Sequence, residues 1–143
     1  MRWYFEGVLS PEGAEDLASD PKYLDFSHEL VAPLVDLVRG VADISTSSPS
    51  YCRVECRSAG HPWHIDTGTK GHMAWCSFSA SLLLTPPDRF SGGGFYFADA
   101  PDAPVFHYLD LLIYDDDVKN RHCVTRSSGG RSVLLMFFGR GNV

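Results

Sequence analysis

Residues 76–84 read Cys76-Ser77-Phe78-Ser79-Ala80-Ser81-Leu82-Leu83-Leu84. Cys76, Phe78, Ala80, Leu82 and Leu84 occupy every second position, with Ser77, Ser79 and Ser81 between them. Strand side chains alternate between the two faces of a sheet, so this period of two predicts a strand with one apolar and one polar face. Residues 94–98, 105–109, 111–114 and 131–138 are further strand candidates, rich in aromatic and branched side chains. Turn signals separate them: Thr85-Pro86-Pro87-Asp88, Gly92-Gly93-Gly94, Pro101-Asp102 and Ser127-Ser128-Gly129-Gly130. The gaps leave no room for the helical crossovers that a parallel sheet needs. A β-sandwich or jelly roll is therefore expected from Tyr51 onward.

Upstream the period lengthens. Ser10-Pro11-Glu12 reads as a capped helix start, in a short helix that holds Gly13 and stops before Asp20-Pro21. Leu34, Leu37, Val38 and Val41 fall at i, i+3, i+4 and i+7, one apolar stripe for packing a helix on a sheet. The expectation is one domain over 1–143, with 1–50 as helical support and 51–143 as the jelly-roll core.

The 143 residues are 44% hydrophobic, enough for one core. Twelve Lys and Arg against 18 Asp and Glu give a net charge of -6. That charge disfavours non-specific binding to nucleic acid or anionic membrane. The longest apolar stretch, Val133 to Phe138, is too short to cross a bilayer, and Met1-Arg2-Trp3-Tyr4-Phe5-Glu6 does not read as a signal peptide. A cytoplasmic location is expected, with Cys52, Cys56, Cys76 and Cys123 as thiols.

Three places carry chemistry. His64-Ile65-Asp66, read as strand, presents an imidazole and a carboxylate on one face. His122, 56 residues after Asp66, would complete a 2-His-1-carboxylate triad, the donor set of non-haem Fe(II) oxygenases. Histidines also serve as plain hydrogen-bonded structural residues, and His-x-Asp by itself does not decide between the two. Arg131 opens the apolar run Arg131 to Phe138, where a guanidinium is costly unless it meets an anion; the other reading is a surface arginine at a strand end.

Taken together, His64-Ile65-Asp66, the run Phe90-Ser91-Gly92-Gly93-Gly94-Phe95-Tyr96-Phe97, Leu111-Leu112-Ile113-Tyr114 leading to His122-Cys123-Val124, and Gly130-Arg131 resemble the Fe(II)/2-oxoglutarate-dependent dioxygenases. Within that superfamily the pattern is most similar to the prolyl hydroxylase-like branch. The resemblance implies a double-stranded β-helix, one form of the jelly roll, with His64, Asp66 and His122 as iron ligands. It implies that Arg131 pairs with the far carboxylate of 2-oxoglutarate, that O2 is the oxidant and that ascorbate is an accessory reductant. The products would be succinate, CO2 and a hydroxylated substrate: a peptidyl proline or another protein side chain, with a free amino acid or small metabolite as the rival. The branch commonly carries a tyrosine on the strand after His-x-Asp, and residues 76–84 have none. One of the serines, taken as Ser79, or a water would replace it. Tyr51 is either a cosubstrate contact or an aromatic at a strand start.

Competing readings remain. Cys52, Cys56, His61 and His64 have the atoms for zinc but poor spacing for a zinc knuckle. His61, His72 and His107 read as surface or supporting residues, Trp63 as core, and Asp115-Asp116-Asp117 as a solvated turn. Residues 67–72 form either a substrate cover or a connecting turn. Arg53 and Arg57 with Tyr51 make a strip for an acidic or peptide substrate, or a mixed-charge strand face with Glu55. A jelly roll with an idle site, acting only as a metal-binding module, is the non-enzymatic alternative.

Overall fold

The computed structural model describes residues 1–67 and 73–141. His72 and all but Thr67 of the segment read as a substrate cover lie outside them. The chain runs β1 (Arg2–Phe5), α1 (Pro11–Ala18), β2 (Lys22–Leu24), α2 (Ala32–Val41), β3 (Ile44–Cys56), β4 (His61–His64), β5 (Phe78–Leu83), β6 (Ser91–Gly92), β7 (Phe95–Phe97), β8 (Leu111–Asp115), β9 (His122–Val124), β10 (Ser127–Ser128) and β11 (Ser132–Arg140). A six-stranded antiparallel sheet has the order β1-β8-β5-β11-β3-β2. Facing it are a three-stranded sheet, β4-β9-β7, and the small β10-β6 pair. From β3 onward β3, β5, β8 and β11 lie in the large sheet and β4, β6, β7, β9 and β10 on the facing side, so the chain winds back and forth between two layers. That winding is the double-stranded β-helix.

The large sheet shows why the period of two mattered. Cys52 and Val54 of β3, Ala80 and Leu82 of β5, Ile113 of β8, and Leu134, Met136 and Phe138 of β11 all point outward. There they meet Ala14 and Leu17 of α1 and Leu34, Val35 and Val38 of α2 in one core. Alternate residues point inward, toward the small sheet. The serine face of β5 is thus buried as well, with Ser79 and Ser81 only 3% and 2% exposed. A polar face here marks the inside of the jelly roll and not the solvent.

Local chemistry forms both helices. The Ser10 hydroxyl accepts from the Gly13 amide at 3.0 Å, and Pro11 supplies the fixed φ of a first turn. The buried face of α2 centres on Leu34, Val35 and Val38, while Leu37 and Val41 pack at its edge.

Two expectations need correction. The support is not purely helical, since β1 and β2 add edge strands to the large sheet and β3 starts at Ile44. Residues 105–109 do not form a strand but only the bridges Phe95↔Val105 and Leu83↔Tyr108. Pro104 lacks an amide hydrogen, and Leu109 turns to φ 62°, which ends extended pairing.

Leu134→Ala removes a side chain with no exposed surface from the middle of this core. It is expected to cost about 2–5 kcal/mol, against within about 0.5 for Val118→Ala at an exposed site. Denaturant unfolding of the two variants checks this; equal midpoints would contradict the outer-face core.

Candidate metal centre

Pairing of β4 with β9 sets His64 directly opposite His122, with ring centroids 4.4 Å apart. The His64 Nδ1 lies 2.7 Å from the Pro62 carbonyl oxygen, and the His122 Nδ1 lies 2.7 Å from that of Asn120. A carbonyl oxygen only accepts, so each Nδ1 carries the hydrogen and each Nε2 keeps a lone pair. The two Nε2 atoms lie 3.1 and 3.2 Å from the same atom, Asp66 Oδ1. Tyr114 donates its hydroxyl to the other carboxylate oxygen, Oδ2, at 2.7 Å. Phe95 stacks on the His122 ring at 5.0 Å and 10°.

With neutral imidazoles this is a set of acceptors to which only Tyr114 donates; a proton taken up on an imidazole turns its Nε2 into a donor to Asp66. One ligand atom from each of His64, Asp66 and His122 lies within 4.8 Å of the others. Lone pairs converging so closely repel unless a cation sits among them, and a proton or a metal ion meets that need. Burial acts to raise the Asp66 carboxyl, but hydrogen bonds from His122, His64 and Tyr114 outweigh it and hold it well below the usual carboxylate range. Burial acts to lower the His64 imidazole, and its bonds to Asp66 and the Pro62 carbonyl hold it above its ordinary value. Burial, with the Asp66 charge, pushes the Tyr114 phenol far up, so it remains a neutral donor. Two nitrogens and one carboxylate oxygen suit a divalent transition metal with open coordination positions.

The expectation placed Asp66 on a strand with His64; in the structure β4 ends at His64 and Asp66 sits in the bend beyond it. Pro62 cannot donate to the ladder, which pairs only at His61 and His64. The bend, rather than the pleat, brings carboxylate and imidazole together.

A cavity of about 570 Å³ between the sheets is lined by His64, Asp66, His122, Tyr114, Tyr51 and Arg131, among others. Arg131 is only 7% exposed, and its Nε has no hydrogen-bond partner. It forms no ion pair among the described residues, and burial lowers its pKa. A buried, unpaired guanidinium on a cavity wall fits a carboxylate. Gly93 makes room for it: at φ +68° an added Cβ would lie 2.5 Å from Arg131 Cδ. Beside Arg131, His107 is 1% exposed and its Nε2 lies 3.0 Å from Ser81 Oγ. Burial and the Arg131 charge push His107 down to about 4, so it is neutral.

Of the residues singled out in sequence, His64, Asp66, His122, Arg131 and Tyr51 share this cavity, and Tyr51 also reaches Met73 Sδ at 3.6 Å. Ser79 does not line it; its hydroxyl lies 3.7 Å from Cys76 Sγ, and Ser81, two residues on, faces the cavity. Tyr114, which lines the cavity and donates to Asp66, is the site residue that sequence reasoning did not single out. Its signal was a hydroxyl at the inward phase of an apolar strand, where it must find a partner. The zinc set does not assemble: Cys52 faces the outer core, its thiol pushed up to about 12 by burial, whereas His64 faces inward. Trp63 is 38% exposed with Arg121 above its ring at 5.9 Å, against the expectation of core, and of the two readings of His107 its burial and its contact with Ser81 match the supporting one.

The chain matches no protein-family model and no curated protein. Solved structures do match. The viral collagen prolyl hydroxylase from Paramecium bursaria Chlorella virus-1, as its 2OG complex, aligns with TM-score 0.72 at 10% identity, over 99% of this chain and 96% of that one. A prolyl-4-hydroxylase from Pseudomonas putida aligns with TM-score 0.66 at 14% identity, over 97% and 92%. The chain has the prolyl hydroxylase fold. A prolyl hydroxylase from Trichoplax adhaerens, in complex with a hypoxia inducible factor oxygen degradation domain peptide, shares this fold with TM-score 0.59 at 15% identity, over 84% of this chain and 62% of that one. No helix among the described residues is long and apolar enough to cross a membrane.

Asn120 holds His122 from behind: its carbonyl accepts from the ring, and its buried side chain is pinned by Asp115 Oδ1 at 2.7 Å and by Arg2 Nε at 2.7 Å. Asn120→Ala is expected to weaken divalent-metal binding roughly 10–100-fold. Calorimetric metal titration measures this; unchanged affinity would show that the ring needs no such support. In the metal-free protein the two shifted groups set a pH window. The raised His64 contributes stability that is full below its ordinary value and is lost as pH rises through its folded one. The lowered Asp66 contributes stability present above its ordinary value and lost as pH falls. Melting temperature without metal is therefore expected to fall on the alkaline side, and His64→Ala to flatten that limb; a limb unchanged in the variant would contradict it.

Proposed function

We propose that the protein is an Fe(II)- and 2-oxoglutarate-dependent oxygenase that hydroxylates an unactivated C–H bond, most simply of a peptidyl proline or another protein side chain. One observation carries this reading: an acceptor triad and a buried, unpaired arginine line the same cavity. The triad asks for a cation and the arginine for an anion. Fe(II) with 2-oxoglutarate satisfies both at once, a dicarboxylate having one end for each. The peptide bound to the Trichoplax protein supports a peptide substrate.

Bound together, iron and 2-oxoglutarate supply the oxidising chemistry, O2 being consumed, the oxo acid leaving as succinate and CO2, and a hydroxyl appearing on the substrate. The chain supplies placement. His64 and His122 present Nε2 because the Pro62 and Asn120 carbonyls hold the opposite ring nitrogens. Asp66 offers Oδ1 because Tyr114 occupies Oδ2. Arg131 holds the far carboxylate, and the Ser81 hydroxyl, tied to neutral His107, is the polar group of β5 on the same wall. Phe95, Val124, Val133 and Leu135 supply apolar walls that exclude water.

The test is succinate formation from 2-oxoglutarate with Fe(II) in air. His122→Ala is expected to abolish it. Arg131→Ala is expected to raise the 2-oxoglutarate requirement about a hundredfold while metal binding persists, the scale of a lost buried charge pair. Normal turnover in His122→Ala, or an unchanged requirement in Arg131→Ala, would overturn the assignment.

A further inference from the structure

The cavity carries more positive charge than the proposed cofactors consume. With Fe(II) and 2-oxoglutarate bound, the metal charge and Arg131 are balanced by Asp66 and the two carboxylates of the cosubstrate. Arg53 and Arg57 remain on the cavity wall, with Glu55 between them. Arg53 and Glu55 face inward because Cys52 and Val54, their neighbours on β3, face the outer core. Glu55 is already shared: it lies 3.5 Å from His61 Nε2 and 3.9 Å from Arg53. The bond from His61 is the largest influence holding its carboxyl low, so it is ionised. Arg57 has no carboxylate within ion-pair distance among the described residues, and its Nε is tied to the Gly60 carbonyl at 2.9 Å. That bond fixes the guanidinium and leaves its outer N–H groups for something else. On a chain of net charge -6 this positive wall is local, and it attracts anions that the rest of the surface repels.

The aromatic groups beside it give the wall a second character. Tyr23 is 68% exposed, packs edge-on against Tyr51 at 5.9 Å, and carries the Arg53 guanidinium over its ring at 5.4 Å. A flat exposed ring beside fixed donors is a surface for an extended chain carrying an acid.

We propose that the substrate bears a carboxylate flanking the oxidised group, as an acidic residue beside the target residue of a peptide does, and that Arg57 and Arg53 bind it. The inference rests on the oxygenase reading of the same cavity. It goes beyond that reading by fixing the charge of the substrate and the residues that select it.

The test is binding rather than turnover, so it separates from the succinate assay. The full chain is loaded with Fe(II) and 2-oxoglutarate under nitrogen. Fluorescein-labelled proline peptides, flanked by Glu, Gln or Lys and otherwise identical, are followed by anisotropy. The Glu peptide is expected to bind about tenfold or more tighter than the Gln peptide, with an advantage that shrinks as ionic strength rises. The Lys peptide is expected to bind weakest. Arg53→Glu with Arg57→Glu reverses the order; Arg53→Gln with Arg57→Gln, a milder pair, abolishes it. Competition by free N-acetylglutamate as strong as by the Glu peptide would support the carboxylate and assign it to a small molecule. Equal affinity for the three peptides, a preference that survives both variants, or no binding of any acid overturns the proposal. If acids bind selectively but no succinate forms, it is the oxygenase reading that fails.

Discussion

Everything at the centre of this molecule depends on one oxygen atom. Asp66 Oδ1 stands 3.1 and 3.2 Å from two imidazole nitrogens whose hydrogens are committed elsewhere. Such a cluster is unfavourable alone and favourable around a cation, so the fold has to hold it together until one arrives. Each support is visible as a separate interaction. The β4–β9 register sets the histidines opposite one another, two main-chain carbonyls fix their tautomers, and Tyr114 turns the carboxylate. Packing energy from the outer core is what keeps those supports in place.

That core and the site are two faces of the same strands. Along β11, Leu134, Met136 and Phe138 join the helices, while Val133, Leu135 and Phe137 line the cavity. On β3, Cys52 and Val54 join the core, while Tyr51, Arg53 and Glu55 face inward. A one-residue slip in β3 would turn Arg53 into the apolar core and Val54 into the cavity, and one in β11 would exchange its core and cavity residues, so the register of the large sheet also sets the chemistry of the cavity. The buried charge of Arg131 is a cost the fold carries in advance of a ligand.

How much of this could be read from the sequence varies with the range of the interaction. Alternation in residues 76–84 and the stripe from Leu34 to Val41 are local, and both elements form where expected. His64, Asp66, His122 and Arg131 stood out by residue type and order, and the structure brings all four to one cavity. Tyr114 did not stand out, because its role depends on a hydroxyl meeting a carboxylate 48 residues away. Ser79 and Ser81 could not be told apart for a similar reason: both lie on the inward face, and only the cavity's position along β5 puts Ser81 and not Ser79 on its lining. Asp66 was assigned to the right place through the wrong geometry, since Pro62 weakens the ladder and a bend does what the pleat was expected to do. Trp63 went wrong because large aromatics are buried on average, and this one sits on an exposed strand end beside Arg121.

The most direct measurement is an anaerobic titration of the full chain with Fe(II) and then 2-oxoglutarate, followed by visible absorbance. A metal-to-ligand charge-transfer band that requires both components, and that Asp66→Ala abolishes, is the predicted result. A folded protein that shows no band with both present would contradict the account at its centre.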